Sequence, residues 1–135
     1  MIDRGYLNRA IKVGNEVAAP YNFGAVVVIG GEVVAAEHGH VHERNDPSLH
    51  AEVSAISAAC RKSGSNHIEG ATLYSSHEPC TMCLSCAAWA HIDRIVYAIS
   101  AKDQESFMYE FRNPDIKKLA TKLTRPVKVE HLPLR

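Results

Sequence analysis

Hydrophobic residues change their spacing along the chain, and these changes predict alternating helices and strands. Over residues 3–18 apolar side chains recur at helical spacing, which predicts an amphipathic first helix. Residues 25–29 form a short β-branched run, Gly30-Gly31 is a two-residue hairpin signal, and residues 32–36 return as a second strand. The sequence therefore predicts a helix followed by a β-hairpin.

The remainder of the chain continues this alternation. Asn45-Asp46-Pro47-Ser48 supplies turn and N-cap residues before a helix, and Pro79 precedes another. The predicted elements are helices over residues 49–61 and 80–90, strands over 71–75 and 94–99, a helix from Asn113-Pro114 to about 123, and a strand over 127–132. A right-handed βαβ unit would make the strands at 71–75 and 94–99 parallel.

These elements predict one α/β domain that spans residues 1–135. We expect a mixed sheet of about five strands between two layers of helices, a three-layer α/β/α arrangement, with a pocket beyond the strand ends where helices begin. The length suits one domain, and 46% hydrophobic residues are ordinary for a globular protein. Without a leader or an apolar run of about 20 residues, and with four cysteines, we expect a cytoplasmic protein without membrane contact.

Two short motifs carry the chemistry. His50-Ala51-Glu52 and Pro79-Cys80-Thr81-Met82-Cys83 combine one imidazole and two thiols, which are zinc ligands, with one further carboxylate. Three protein ligands leave a fourth position open, and thiolates are stabilised at a helix start. Glu52 stays free to move protons. The combination matches the H-x-E…P-C-x-x-C signature of zinc deaminases.

Other cysteines and histidines allow alternative interpretations. Cys-x-x-Cys alone also occurs in redox pairs and structural zinc sites. Cys86 extends the cysteine run, but a helix turns it away from at least one of the others, so we interpret Cys86 and Cys60 as core residues. His38-Gly39-His40-Val41-His42 would place its histidines on one strand face, and we expect a solvated strand end.

Charge is unevenly distributed although the net charge is zero. From residue 112 to the end there are seven Lys/Arg against two acidic residues, which gives +5 and leaves −5 for the rest. A basic tail is either a nucleic-acid footprint or a solvated helix face, and we favour the solvated face.

The two motifs, in this order and in a βαβ setting, resemble the cytidine deaminase superfamily. Residues 45–53 are especially similar to the bacterial guanine deaminases and the tRNA adenosine deaminases, and residues 23–28 and 87–90 resemble the guanine deaminase branch. The resemblance implies hydrolytic deamination of an aminated nucleobase or nucleoside, with guanine as the first substrate to test. A tRNA adenosine deaminase is the alternative, and a non-catalytic zinc-binding module is the third.

The resemblance also implies roles for individual residues. Zinc would be held by His50, Cys80 and Cys83, Glu52 would move protons, Asn45 would hydrogen-bond the base, Phe23 and Trp89 would form apolar walls, and Glu105 would contact the ring. Plain core packing is the alternative for Phe23 and Trp89, and a solvated loop charge for Glu105. A homodimer is implied, with the neighbouring subunit completing the pocket wall.

This sequence also departs from the family pattern. Asn22 replaces a proline, and His77 replaces a small residue. In the bacterial guanine deaminases a segment beyond the region of residues 129–132 closes the pocket, and we expect that cover to be missing here.

Overall fold

The computed structural model describes residues 2–103, 109–111 and 115–134. The helices are α1 (Ile2–Gly14), α2 (Val41–Arg44), α3 (Ala51–Ser63), α4 (Thr81–Trp89) and α5 (Ile116–Ala120), with a 3₁₀ turn at Ala101–Asp103. The strands are β1 (Gly24–Ile29), β2 (Glu32–His38), β3 (Thr72–His77), β4 (Arg94–Ile99) and β5 (Lys128–His131). In this described part of the chain, no helix is long and apolar enough to cross a bilayer.

The five strands form one mixed sheet in the order β2-β1-β3-β4-β5. β1 is antiparallel to both β2 and β3, whereas β3, β4 and β5 run parallel to one another. The predicted hairpin, the parallel βαβ unit and the fifth strand are therefore confirmed. Because α4 connects β3 to β4, it begins at the edge of the sheet where β3 ends.

Alternate side chains of the strands divide the core into two layers. Val26 and Val28 on β1 face α1 and pack with Leu7 and Ala10, together with residues of β3 and β4. Side chains of the opposite sheet face pack against the other helices: Ala25, Val27, Leu73 and Ile95 contact a cluster that includes Ala55 of α3, Leu84 of α4 and Ile116 of α5. The predicted three-layer arrangement is confirmed.

The end of α1 crosses the start of β1 at a very close approach. A Cβ on Gly24 would overlap the carbonyl oxygen of Ala10, and one on Gly14 would press on the backbone of Asn22 and Gly24. Only glycine allows this crossing. The Gly24 amide donates to the Ser76 hydroxyl at 2.9 Å, which ties the start of β1 to β3.

Element boundaries differ most from the predicted ones in the first and last helices. The first helix ends at Gly14 instead of residue 18, because glycine is a poor helix former. The last helix covers only Ile116–Ala120, where the Asp115 side chain caps it by accepting from the Lys118 amide at 3.0 Å. Asn113 and Pro114, which were predicted to open this helix, lie outside the described residues.

The prediction that His38, His40 and His42 share one face of a strand is wrong. β2 ends at His38, and Val41–Arg44 forms the short helix α2, which carries His42. His40 precedes that helix and contacts carboxylates on both sides, Glu37 at 3.0 Å and Glu43 at 2.8 Å. These local hydrogen bonds replace the strand that the alternating pattern indicated.

A charged network joins α1 to two strands. Arg94 donates to Asp3 at 2.9 Å and to Glu130 at 2.8 Å, and the Tyr74 hydroxyl donates to Asp3 at 2.6 Å. The Arg94 guanidinium, followed by Tyr74, lowers the pKa of Asp3 to about 2. The ionised carboxylate therefore stabilises the docking of α1 on the sheet.

Asp3→Asn should lower the free energy of unfolding by about 2 kcal/mol at neutral pH. The folded-state pKa is depressed, so the stabilisation is present above the unfolded pKa of about 3.9 and is lost as the pH falls toward 2. Near pH 3 the difference from the parent should be roughly halved. Urea unfolding at several pH values measures this, and exposed Glu16→Gln should change stability by less than about 0.5 kcal/mol.

Candidate active site

Three sulfur and nitrogen atoms meet where α3 and α4 begin. His50 is the N-cap residue of α3, Cys80 is the N-cap residue of α4, and Cys83 lies in the first turn of α4. His50 Nδ1, Cys80 Sγ and Cys83 Sγ are 3.5 Å from one another. The structure thus brings together all three residues predicted as zinc ligands.

This triangle fits a zinc ion. The centre of a triangle with 3.5 Å sides is roughly 2.0 Å from each corner, and zinc lies about 2.0–2.1 Å from nitrogen and about 2.3 Å from sulfur. An ion held at those distances keeps one side open. Among the described residues, no fourth histidine, cysteine or carboxylate joins this group, as a catalytic zinc site requires.

The ligand atoms are also matched electrostatically to a cation. The contact between the Cys80 and Cys83 sulfurs lowers the pKa of Cys80 and raises that of Cys83. The contact with Cys80 also raises the pKa of His50. Two sulfurs and one imidazole therefore compete for protons, and a zinc ion replaces those protons with one positive centre.

Glu52 lies beside the triangle but is not part of it. It occupies the first turn of α3 and is only 5% exposed. Burial raises the pKa of its carboxyl, and the Ser75 hydroxyl donates to its Oε2 at 3.0 Å. Ser75 is also 2.6 Å from the carbonyl oxygen of His77 and has one hydrogen to donate. The Ser75 hydroxyl can therefore donate to an ionised Glu52, or accept from a protonated Glu52 while it donates to His77.

A pocket of about 780 Å³ opens over these residues. Apolar side chains dominate its walls: Val17, Tyr21, Phe23, Val41, Pro47, Met82, Tyr109 and Phe111. His50, Glu52 and Cys80 form part of the pocket lining, and Glu43, Glu78 and Glu110 add carboxylates. The volume lies in the range of small-molecule sites. The pocket can therefore enclose a flat heterocycle next to the metal ligands.

Of the four residues predicted to contact substrate, only Phe23 lines the described pocket. Its ring packs edge-on against His77 at 4.3 Å between centroids. Burial lowers the pKa of His77 to about 4, so this ring supports the wall as a neutral group.

Asn45 and Trp89 are not among the described residues that line the pocket. Asn45 ends α2 with a left-handed backbone, φ 50°, and its amide donates to the Val41 carbonyl. Trp89, at the end of α4, is 81% exposed. Glu105 lies outside the described residues. Contacts of these three residues with a substrate stay predictions.

The sequence did not single out two residues that shape the pocket. Tyr109 donates from its hydroxyl to the Glu78 carbonyl at 2.7 Å, and burial raises its pKa. The Glu78 side chain accepts from the Ala101 amide at 2.9 Å, so it anchors the turn after β4. The position of Glu78 directly before Pro79-Cys80 could have indicated that it lies near the site. Nothing in the local sequence indicates the Tyr109 contact, because it joins residues 31 positions apart.

The fold and the three-ligand site define a zinc-binding deaminase. Residues 2–99 match the family described as the cytidine and deoxycytidylate deaminase zinc-binding region, and the chain belongs to this family. Zinc is accordingly its cofactor, and His50, Cys80 and Cys83 form the site for it.

Relatives of two substrate classes are similar to the chain. It is 36% identical to a guanine deaminase of Bacillus subtilis, covering 78% of this chain and 73% of that protein. It is 33% identical to a tRNA-specific adenosine deaminase of Aquifex aeolicus, covering 82% and 71%. The substrate class therefore does not follow from identity alone.

Solved structures of both substrate classes are also similar to this chain. The B. subtilis guanine deaminase superposes with a TM-score of 0.70 at 39% identity, over 74% of this chain and 66% of that one. A tRNA:A34 deaminase superposes with a TM-score of 0.80 at 25% identity, over 95% and 91%.

The purified protein should carry one zinc per chain that survives dialysis, and His50→Ala or Cys83→Ala should remove it. Elemental analysis after dialysis measures this content. Cys86→Ala is the matched control, because Cys86 packs against the core and is not in the ligand group. Retention of zinc in Cys83→Ala would contradict the site.

Proposed function

We propose that this protein is a zinc-dependent hydrolase that removes ammonia from a small aminated nucleobase or nucleoside, with guanine as the first candidate. The observation that carries the proposal is the position of Glu52. Its carboxyl group is buried at the floor of an apolar pocket, beside the three ligand atoms and outside their triangle. Deamination needs such a group to carry protons between an attacking water and a leaving amine.

The mechanism divides between the metal and the chain. Zinc, when bound, supplies Lewis-acid activation of a water molecule near neutral pH. Glu52 accepts one proton of the attacking water and donates it to the ring nitrogen while the water oxygen bonds to the carbon that bears the amine. It then takes the second proton from the new hydroxyl group and donates it to the amine, which leaves as ammonia when the C–N bond breaks. Burial raises the pKa of this carboxyl, which favours the protonated form that donates.

The pocket supports a flat base with N–H donors. Phe23 and Val41 offer apolar surface for a ring, and Glu110 offers a carboxylate acceptor in the described lining. Guanine presents ring N–H and amino donors that such an acceptor binds. Phe23 as an apolar wall is therefore part of our proposal.

A tRNA adenosine deaminase is the second candidate, and one observation favours it. A groove beside the pocket is lined by Lys118 and Lys122 and shares Thr81, Met82 and Phe111 with the pocket lining. Exposed lysines next to a base pocket could hold phosphates of a nucleic acid. Binding of that kind falls steeply with salt, whereas binding of a free base does not.

A non-catalytic zinc module is the least supported alternative. A structural site closes the metal with a fourth protein ligand, and none of the described residues provides one. Burying the Glu52 carboxyl group beside Ser75 also destabilises the fold, and a purely structural zinc site does not require that carboxyl group.

Ammonia release from a substrate panel tests the proposed function. The zinc-loaded protein is incubated with guanine, adenine, cytosine, their nucleosides, aminated pterins and triazines, and a tRNA. We expect release from guanine or a related small heterocycle, at a rate that is nearly independent of salt. Deamination of the tRNA alone, suppressed by added salt, would replace the first candidate with the second.

Glu52→Gln identifies the catalytic carboxyl group in the same assay. It preserves shape and removes proton transfer, so we expect turnover to fall about 10³-fold while zinc stays bound. Glu16→Gln is the matched exposed control and should retain activity. Near-parental turnover in a zinc-loaded Glu52→Gln protein would disprove this role.

The family resemblance and the surface of α4 support a homodimer. Met82 and Trp89 on α4 are apolar and exposed. Phe111 and Leu119, which line the same groove as Met82, are exposed as well. Such a surface is typical of an interface. All four cysteines are free, which supports placement in the cytoplasm, and cell fractionation would test that placement.

Sedimentation velocity should show a species of twice the chain mass. Trp89→Glu should shift it to the monomer, because a charge there would be desolvated at the interface. Ile2→Glu is the matched control: Ile2 is also exposed, at 77%, but lies on α1. A parent protein that sediments as a monomer at high concentration contradicts the dimer.

A further inference from the structure

A second group of metal-binding side chains lies at the rim of the pocket. His38 ends β2, His40 precedes α2, and Glu43 lies on α2. One donor atom from each lies within 4.8 Å of the others. We propose that His38, His40 and Glu43 form a second site for a divalent metal ion of the zinc, nickel or copper type, separate from the catalytic zinc.

The hydrogen bonds of His40 already suit a metal ligand. Its Nδ1 is 2.8 Å from Glu43 Oε1, and its Nε2 is 3.0 Å from Glu37 Oε1. When an ion replaces the proton between Nδ1 and Glu43, Nε2–H can still donate to Glu37. A metal-bound histidine almost always donates its other N–H to a carboxylate or carbonyl in this way.

His38 has the same kind of support. Its Nδ1 is 2.8 Å from the carbonyl oxygen of Gly39, which accepts the ring proton. In the neutral ring, Nε2 then holds the free lone pair that a metal needs. Imidazole and carboxylate ligands together suit zinc, nickel and copper.

Another cluster of possible metal ligands is formed by His67, Glu69 and His91, and the orientation of its rings differs from that of the His38 group. An imidazole lone pair lies in the plane of its ring, so two rings can share an ion only where their planes meet. The rings of His67 and His91 are stacked at 3.7 Å and nearly parallel, at 14°. The rings of His38 and His40 are inclined at 45°, with centroids 4.6 Å apart, so their planes converge.

Ion entry needs only a small adjustment. Donor atoms around a tetrahedral zinc lie roughly 3.3 Å apart, against a present limit of 4.8 Å. The Glu43 side chain is 56% exposed and can move slightly away from His40 to admit the ion, whereas the His40 side chain is 12% exposed and held in place. Gly39, Val41 and Glu43 also line the catalytic pocket, so an ion here would fix one pocket wall.

Zinc titration of the zinc-loaded protein tests the site by calorimetry. Glu37 and Glu43 raise the pKa of His40 while burial and Arg44 oppose them, so slightly alkaline buffer is used to limit competition from protons. We expect one further zinc per chain, and at least tenfold weaker binding in His40→Ala and in Glu43→Gln. Because Glu43 is exposed, its variant should fold even where His40→Ala does not.

His67→Ala is the matched control and should retain the further zinc. The proposal is overturned if no further zinc binds, or if His67→Ala loses it while Glu43→Gln keeps it. Titration with cobalt in place of the further zinc gives a readout that does not depend on turnover. Cobalt at the second site should add ligand-field absorption, and it should add no thiolate charge-transfer band because this site has no sulfur ligand. Cys83→Ala should remove the catalytic zinc and leave this site, so failure of either proposal can be recognised separately.

Discussion

The close approach of two helix starts is the constraint on which the site depends. The first turns of α3 and α4 must lie near enough for a nitrogen and two sulfurs to be 3.5 Å apart. Ala55 and Ala59 of α3 and Ala87 of α4 are fully buried between them and the sheet. Small side chains allow that packing, and close-packed interiors do not absorb an added methylene without displacement.

The same constraint concentrates negative charge in a buried place. Two thiols and the Glu52 carboxyl compete for few protons, and the raised pKa values of Glu52 and Cys83 reflect that repulsion and burial. Helix N-termini offset part of the cost, since their free amides favour negative charge. A divalent cation offsets more, so zinc binding and stability of this region should be linked.

Local patterns explain why the sequence predicted the ligands and elements well. A β-branched run, a Gly-Gly turn and a Cys-x-x-Cys at a helix start each act through neighbours within a few residues. The strand face predicted for His38, His40 and His42 was wrong because local side-chain hydrogen bonds decide the backbone there. His40 lies outside the strand, and its two ring nitrogens contact the Glu37 and Glu43 carboxylates. Alternation of residue types does not reveal such contacts, and the Tyr109–Glu78 contact, which shapes the pocket, joins residues that are 31 positions apart.

The metal-ligand group and much of the pocket wall belong to different parts of this structure. The proposed proton carrier and the ligands lie at the starts of α3 and α4, which one core cluster packs against the sheet. Residues 39–43 and 109–111, which supply much of the pocket wall, lie outside the strands and long helices. Loops on a rigid scaffold change more readily than the scaffold. The chain is similar to a guanine deaminase and to a tRNA-specific adenosine deaminase at comparable identity. We therefore propose that the wall segments, more than the ligand-bearing helices, decide which substrate this protein accepts.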